Sequence, residues 1–89
     1  MTVFQVTYRL SDPVQDYDEL YERIGSLGDS VHEENMCWFV ETDSSHTEVR
    51  DELKKAVSGN DHVFVMEANL PWASNFSNEV TDWLRDKMS

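Results

Sequence analysis

Cysteine occurs once, at Cys37, so the chain can form no internal disulfide. That excludes a disulfide-stapled scaffold and fits a reducing cytoplasm. Glycine occurs three times and proline twice. No glycine-rich phosphate loop and no Gly-x-Ser-x-Gly nucleophile turn is present. Repeats, low-complexity runs and linkers long enough to divide domains are absent as well. Basic side chains number 7 against 18 acidic ones, a formal charge of −11. Such a chain lacks the Lys/Arg patch needed to grip a phosphate backbone, which argues against direct nucleic-acid binding. Apolar runs reach only a few residues, so nothing spans a membrane. The start lacks the basic and apolar regions of a signal peptide, and the expected location is the cytoplasm. No Cys/His spacing matches a structural zinc site, and no metal or cofactor is expected.

With 89 residues the chain is read as one domain, with a core over 1–68 and a C-terminal extension over 69–89. A domain this small buries about 60–65% of its unfolded surface, a thin margin. Disulfide and metal being excluded, oligomerisation is the remaining support, and a homodimer is expected. The negative charge has three readings. It keeps the surface soluble, it offers a face to a basic partner (mimicry of nucleic acid included), or it reflects adaptation to high salt.

Hydrophobic periodicity places the elements. From Thr2 to Leu10, Phe4, Val6, Tyr8 and Leu10 alternate with Val3, Gln5, Thr7 and Arg9, a strand with one apolar face. Ser11-Asp12-Pro13 reads as a turn that opens a helix. Tyr17, Leu20, Tyr21, Ile24 and Leu27 form the stripe of that helix, which Gly28 is expected to end in a left-handed conformation. Ser30–Glu33 and Met36–Thr42 read as a strand pair around a Glu34-Asn35 turn. Met36-Cys37-Trp38-Phe39-Val40 is apolar on both faces. Ser45 with Glu48 is a capping-box pattern opening a helix with Val49, Leu53, Ala56 and Val57 inward. Ser58-Gly59-Asn60-Asp61 stops it, and His62–Ala68 is a fourth strand, with Val63 and Val65 against Phe64 and Met66. Ser77 caps a last amphipathic helix with Val80, Trp83 and Leu84. The order predicts an α+β, ferredoxin-like β-α-β-β-α-β antiparallel sheet with an additional C-terminal helix. Both main helices lie on one face. The other face is left open and is expected to be covered by a second subunit.

Thr7-Tyr8-Arg9-Leu10, Gln15-Asp16-Tyr17-Asp18-Glu19-Leu20-Tyr21 and Ser26-Leu27-Gly28-Asp29 carry a resemblance. So do Trp38-Phe39-Val40-Glu41-Thr42-Asp43, Arg50-Asp51-Glu52-Leu53-Lys54-Lys55, Asn60-Asp61-His62-Val63-Phe64-Val65 and Trp72-Ala73. Over nearly the whole chain the sequence resembles small bacterial and phage proteins labelled "SinR family". That group is similar in turn to the ferredoxin-like CRISPR-adaptation subunits, some of them described as metal-dependent nucleases. The resemblance implies a dimer of nucleic-acid-related ancestry. The nuclease-like relatives carry an Asp after the aromatic residue near the end of the first strand. Here Arg9 stands at the matching position, and a guanidinium repels a cation instead of ligating it. Metal-dependent nuclease activity is therefore not expected from the family residues. A nuclease built on other carboxylates, Asp12 with Glu41 or Asp43, is the alternative.

His32, Glu33 and Glu34 read as a solvated hairpin, because adjacent strand residues face opposite ways. His46 falls in a first helical turn and His62 at a strand start. Cys37 reads as a buried, inert thiol. Trp38, Trp72, Trp83 and Phe76 read as core or dimer packing ahead of base stacking. Arg9, Thr7, Trp38, Val40, Phe64, Met66, Trp72 and Trp83 are the candidate interface or ligand residues. The function expected is a non-catalytic homodimeric interaction protein in phage–host defence or counter-defence, its acidic surface engaging a basic protein partner. The alternative is sequestration of a small nucleotide in a cleft containing Arg9.

Overall fold

The computed structural model describes residues 1–11, 17–34 and 36–88. Asp12, Pro13 and Asn35, on which a helix start and a turn were placed, lie outside them. The elements are β1 (Thr2–Arg9), α1 (Asp18–Ser26), β2 (Asp29–Glu33), β3 (Cys37–Thr42), α2 (His46–Lys54), β4 (His62–Glu67) and α3 (Asn78–Lys87). The strands form one antiparallel sheet in the order β2-β3-β1-β4. Two interleaved β-α-β units give this order, because β3 splits β1 from β2 and β1 splits β3 from β4. The fold is ferredoxin-like with a further C-terminal helix.

Strand alternation sorts the sheet into two faces. On the helix side, Phe4, Val6 and Val40 meet Leu20 and Ile24 of α1 and Val49 and Leu53 of α2. Leu20, Ile24 and Leu53 are fully buried, each worth about 1.5–3 kcal/mol relative to exposure. On the opposite side, Val3, Val31, Cys37 and Phe39 meet Val80, Leu84 and Met88, with Trp72, Phe76 and Trp83 around them. The expectation that this second face stays open until a subunit covers it is thus corrected. α3 folds back over its β2–β3 half, because a helix with one apolar stripe finds there the apolar outer face of β3. Of the β1–β4 half, the end at Val3 joins this core, and the end at Thr7, Arg9 and Phe64 stays uncovered among the described residues.

Polar contacts hold α3 at both ends. Ser77 caps it by accepting from the Val80 N–H, and the Ser77 N–H donates to Glu33 Oε1 at 2.8 Å. At the other end Lys87 Nζ lies 2.8 Å from Asp29 and 3.5 Å from Glu41, while the Trp83 indole N–H donates to Asp29 at 3.3 Å. The Asp29 carboxylate raises the Lys87 pKa, and Lys87 with Trp83 lowers that of Asp29.

The chain leaves α1 through Leu27, which is right-handed, and no glycine has a positive φ. The left-handed stop expected at Gly28 is therefore corrected. A Cβ on Gly28 would run into the Glu41 carbonyl of β3. Glycine is needed here for clearance, since the backbone enters β2 hard against its neighbour strand. Ser45 does form the capping box, with both reciprocal bonds to Glu48 present.

Asp61 ties the loop after β1 to the loop before β4. Its Oδ1 accepts from the Ser11 N–H (2.7 Å), the Ser11 hydroxyl (2.8 Å) and the Tyr17 hydroxyl (3.2 Å). Its Oδ2 accepts from the Ser58 N–H (2.9 Å) and hydroxyl (3.2 Å). These donors, the Ser11 and Ser58 amides first, hold the carboxyl far below the usual carboxylate range.

Candidate functional site

β4 is an edge strand, so one side of its backbone has no ladder partner in the sheet. Its phase can be read. The Ala68 N–H donates to the Val3 carbonyl at 2.9 Å, and Gln5 faces Met66 while Thr7 faces Phe64. Hydrogen-bonded and non-bonded pairs alternate in an antiparallel ladder. His62, Phe64 and Met66 therefore turn their backbone groups to β1, and Val63, Val65 and Glu67 turn theirs to the free edge. Proteins usually blunt such an edge with Lys, Pro or a bulge. His62–Glu67 contains neither Lys nor Pro.

The side chains beside this edge are apolar and unshielded. Phe64 is 61% exposed and Met66 49% exposed. They stand next to Thr7 and Gln5, Phe64 where the sheet is bare and Met66 at the rim of a cavity it shares with Trp72, Phe76 and Leu84. Arg9 pairs with His62 at one end of the same strand pair and is exposed. Four of the eight candidate residues, Arg9, Thr7, Phe64 and Met66, are thus brought together.

The other four are placed elsewhere. Val40 lies opposite Phe4 and is fully buried against the helices. Trp38 lies opposite Val6, also on the helix side. Their assignment to an interface is corrected: the β1–β3 register gives them the parity of Phe4 and Val6, and the outward residues of β3 are Cys37 and Phe39. Trp72 and Trp83 pack within the second core, Trp72 donating its indole N–H to the Met88 carbonyl at 3.1 Å.

The edge is charged oppositely at its two ends. Beside the start of β4, a cavity of about 360 Å³ is lined by Arg50, Lys54, Ser58, Gly59, Asp61 and His62. Arg50 is paired with the neighbouring Asp51 at 2.8 Å. Lys54 and Arg9 make no ion pair with a described carboxylate. Beside the end of β4, a cavity of about 540 Å³ is lined by Asp43, Glu48 and Glu67, with His46 among them. α2 runs along β4 between the two, with Glu48 in its first turn and Lys54 in its last. The spacing of Arg50 and Lys54 by four residues was visible in the sequence. That His62 joins them was not, because it depends on how α2 packs along β4.

The remaining candidates do not converge. Glu41 pairs with Lys87, and Asp43 is exposed at the end where β1 begins. Ser11 lies at the other end, about 25 Å away along the strand. Asp12 itself is outside the described residues. Among the described residues no three His, Cys, Asp or Glu side chains group as metal ligands. Cys37 is buried, and desolvation pushes its thiol pKa up. No helix among the described residues is long and apolar enough to cross a membrane.

His32 corrects the reading of a solvated hairpin. It is half-buried and stacked on Trp38, centroids 4.3 Å apart and planes 5° from parallel, with Tyr21 at 5.5 Å. The Tyr8 hydroxyl stands 3.4 Å from His32 Nε2, and burial raises the Tyr8 pKa. The cross-strand pairing of His32 with Trp38 produces the stack.

Comparison with protein-family models, with curated proteins and with solved structures gives no match for this chain. The site is accordingly read from its own geometry.

Proposed function

We propose that this protein is a non-catalytic interaction module that docks another polypeptide along the free edge of β4. The observation that carries this reading is the edge itself. Among the described residues it offers backbone groups without a ladder partner at Val63, Val65 and Glu67, flanked by the exposed Phe64 and Met66. Strand addition supplies directional hydrogen bonds, and the flanking apolar side chains supply buried area. The carboxylates of α1 and α2 (Asp18, Glu19, Glu22, Asp51) stay on the outer surface, where they suit a basic protein partner. The resemblance to CRISPR-adaptation subunits makes phage–host defence or counter-defence the setting.

The test is photo-crosslinking in cells. Benzoylphenylalanine is placed at position 64 and, as a control, at the exposed position 85 of α3. The expected result is a crosslinked polypeptide from position 64 and none from position 85. Capture of nucleic acid alone, or of no polypeptide at position 64, overturns the reading.

A second reading rests on a separate observation. Lys54 lacks a carboxylate partner among the described residues, and with Arg50 and His62 it lines a cavity whose one carboxylate, Asp61, is already held by Ser11, Tyr17 and Ser58. Such a cavity suits an anionic ligand. Calorimetric titration with nucleoside mono-, di- and triphosphates tests it. Saturable binding lost in Lys54→Glu favours the anion site, and no heat with any of them removes it.

A further inference from the structure

We infer that the partner of the β4 edge is a second copy of this chain, joined through a two-fold axis at Val65 so that two four-stranded sheets become one of eight strands. This inference rests on the docking reading above and adds the partner and the register.

Three features of the edge are self-complementary. The first is backbone phase. A two-fold axis perpendicular to the sheet pairs β4 antiparallel with its copy and keeps each face on its own side. Residues opposite one another must then share a face, so the register brings odd positions to odd positions. Val63, Val65 and Glu67 are the residues whose backbone groups point outward. Val65 opposite its copy and Val63 opposite Glu67 of the copy use every one of them in the hydrogen-bonded pairs of the new ladder.

The second is side-chain pairing. In the same register Phe64 falls opposite Met66 of the copy, and Met66 opposite Phe64. These are the non-hydrogen-bonded pairs, whose Cα atoms approach to about 4.5 Å. The two most exposed apolar side chains of β4 therefore cover each other. The thioether of Met66 packs against the ring of Phe64, a favourable contact.

The third is charge. The start of β4 is flanked by Arg50, Lys54 and His62, where Asp61 is turned to Ser11, Tyr17 and Ser58, and its end by Asp43, Glu48 and Glu67. Antiparallel pairing sets the basic end of each copy beside the acidic end of the other, twice. α2 and its copy then lie on one side of the joint with opposite charges facing. A chain of −11 resists random self-association. An arrangement that brings Lys54 and Arg50 of each copy towards carboxylates of the other reduces that cost locally.

Sedimentation velocity on wild type and on Phe64→Lys/Met66→Lys comes first, with circular dichroism to confirm that both fold. Both side chains are exposed, so the fold should tolerate the change. The expected result is a dimer for wild type and a monomer for the double variant. Disulfide trapping then reads the register. A mixture of Phe64→Cys and Met66→Cys chains should crosslink to each other, because opposed Cα atoms lie within the 4.4–6.8 Å that a disulfide needs. Phe64→Cys alone should not, since its copies sit diagonally at about 7–8 Å. Cys37 is buried and does not compete. A wild-type monomer at 100 µM overturns the self-pairing, while the docking reading stands or falls on what is captured at position 64. A dimer that survives the double lysine change overturns the self-pairing as well, since self-association then uses another surface, and leaves the docking reading to the capture at position 64. Ready crosslinking of Phe64→Cys to itself overturns the register.

Discussion

Asp61 is a charged side chain at 7% exposure, held by five hydrogen bonds from Ser11, Tyr17 and Ser58. Its pKa is lowered on folding, so the unfolded chain binds the proton more tightly. The stability it contributes is complete above the unfolded value of about 3.9 and is lost as the pH falls below it. Thermal melts from pH 6 to pH 2 should show a falling Tm, and Asp61→Asn should lower the Tm at pH 6 and flatten that slope. An unchanged slope would mean that other carboxylates carry the acid response. At Gly28 the limit is steric. Gly28→Ala should cost about 1–3 kcal/mol in urea unfolding, since the Glu41 carbonyl is backbone and cannot swing aside. The sequence announced Asp61 only as part of a helix stop, because its partner Ser11 is remote along the chain. Gly28 was noticed for the wrong property: the pattern marks that a glycine is needed and not whether by backbone angle or by space. His32 was misread for a similar reason, since its stacking on Trp38 exists only across the strand pair.

At the scale of elements, local signals carried far. The alternation in Thr2–Leu10 and the stripe from Leu20 to Leu27 both became one helix-side core. The capping box of α2 was legible as Ser45 and Glu48, and Ser45→Ala should cost about 1 kcal/mol of stability, read by chemical denaturation. The docking of α3 was not legible. An amphipathic helix states that it needs an apolar surface and does not state which one. Val80 and Leu84 are buried beneath it, and Leu84→Ala should cost about 2–5 kcal/mol. The ion pair at its end sets limits on both sides of neutrality. Asp29 has a lowered pKa, so its contribution fades on acidification below about pH 4. Lys87 has a raised pKa, so its contribution is full below about pH 10.4 and is lost as the pH rises beyond it. Tryptophan fluorescence, sensitive to Trp83 beside Lys87, should change at both extremes and be pH-independent between them in that respect.

The whole molecule carries two cores back to back, sharing one sheet but not sharing it equally. β3 lies between them, with Val40 buried on one side and Cys37 and Phe39 on the other. β4 has helix cover on one side and none on the other or along its edge. From sequence, the apolar character of both strands on both faces was plain, and it pointed to one open face. The structure divides that face: α3 and the chain before it cover β2, β3 and the start of β1, and leave Arg9 and Phe64 exposed. The free-edge phase of β4 has a consequence in time. In a monomer, exchange of backbone hydrogen for deuterium should be slowest in β3. Along β4 it should alternate, with Phe64 and Met66 amides protected and Val63, Val65 and Glu67 amides open to solvent. Raising the protein concentration should slow the open set alone, so that one strand records, residue by residue, whether its outer side is occupied.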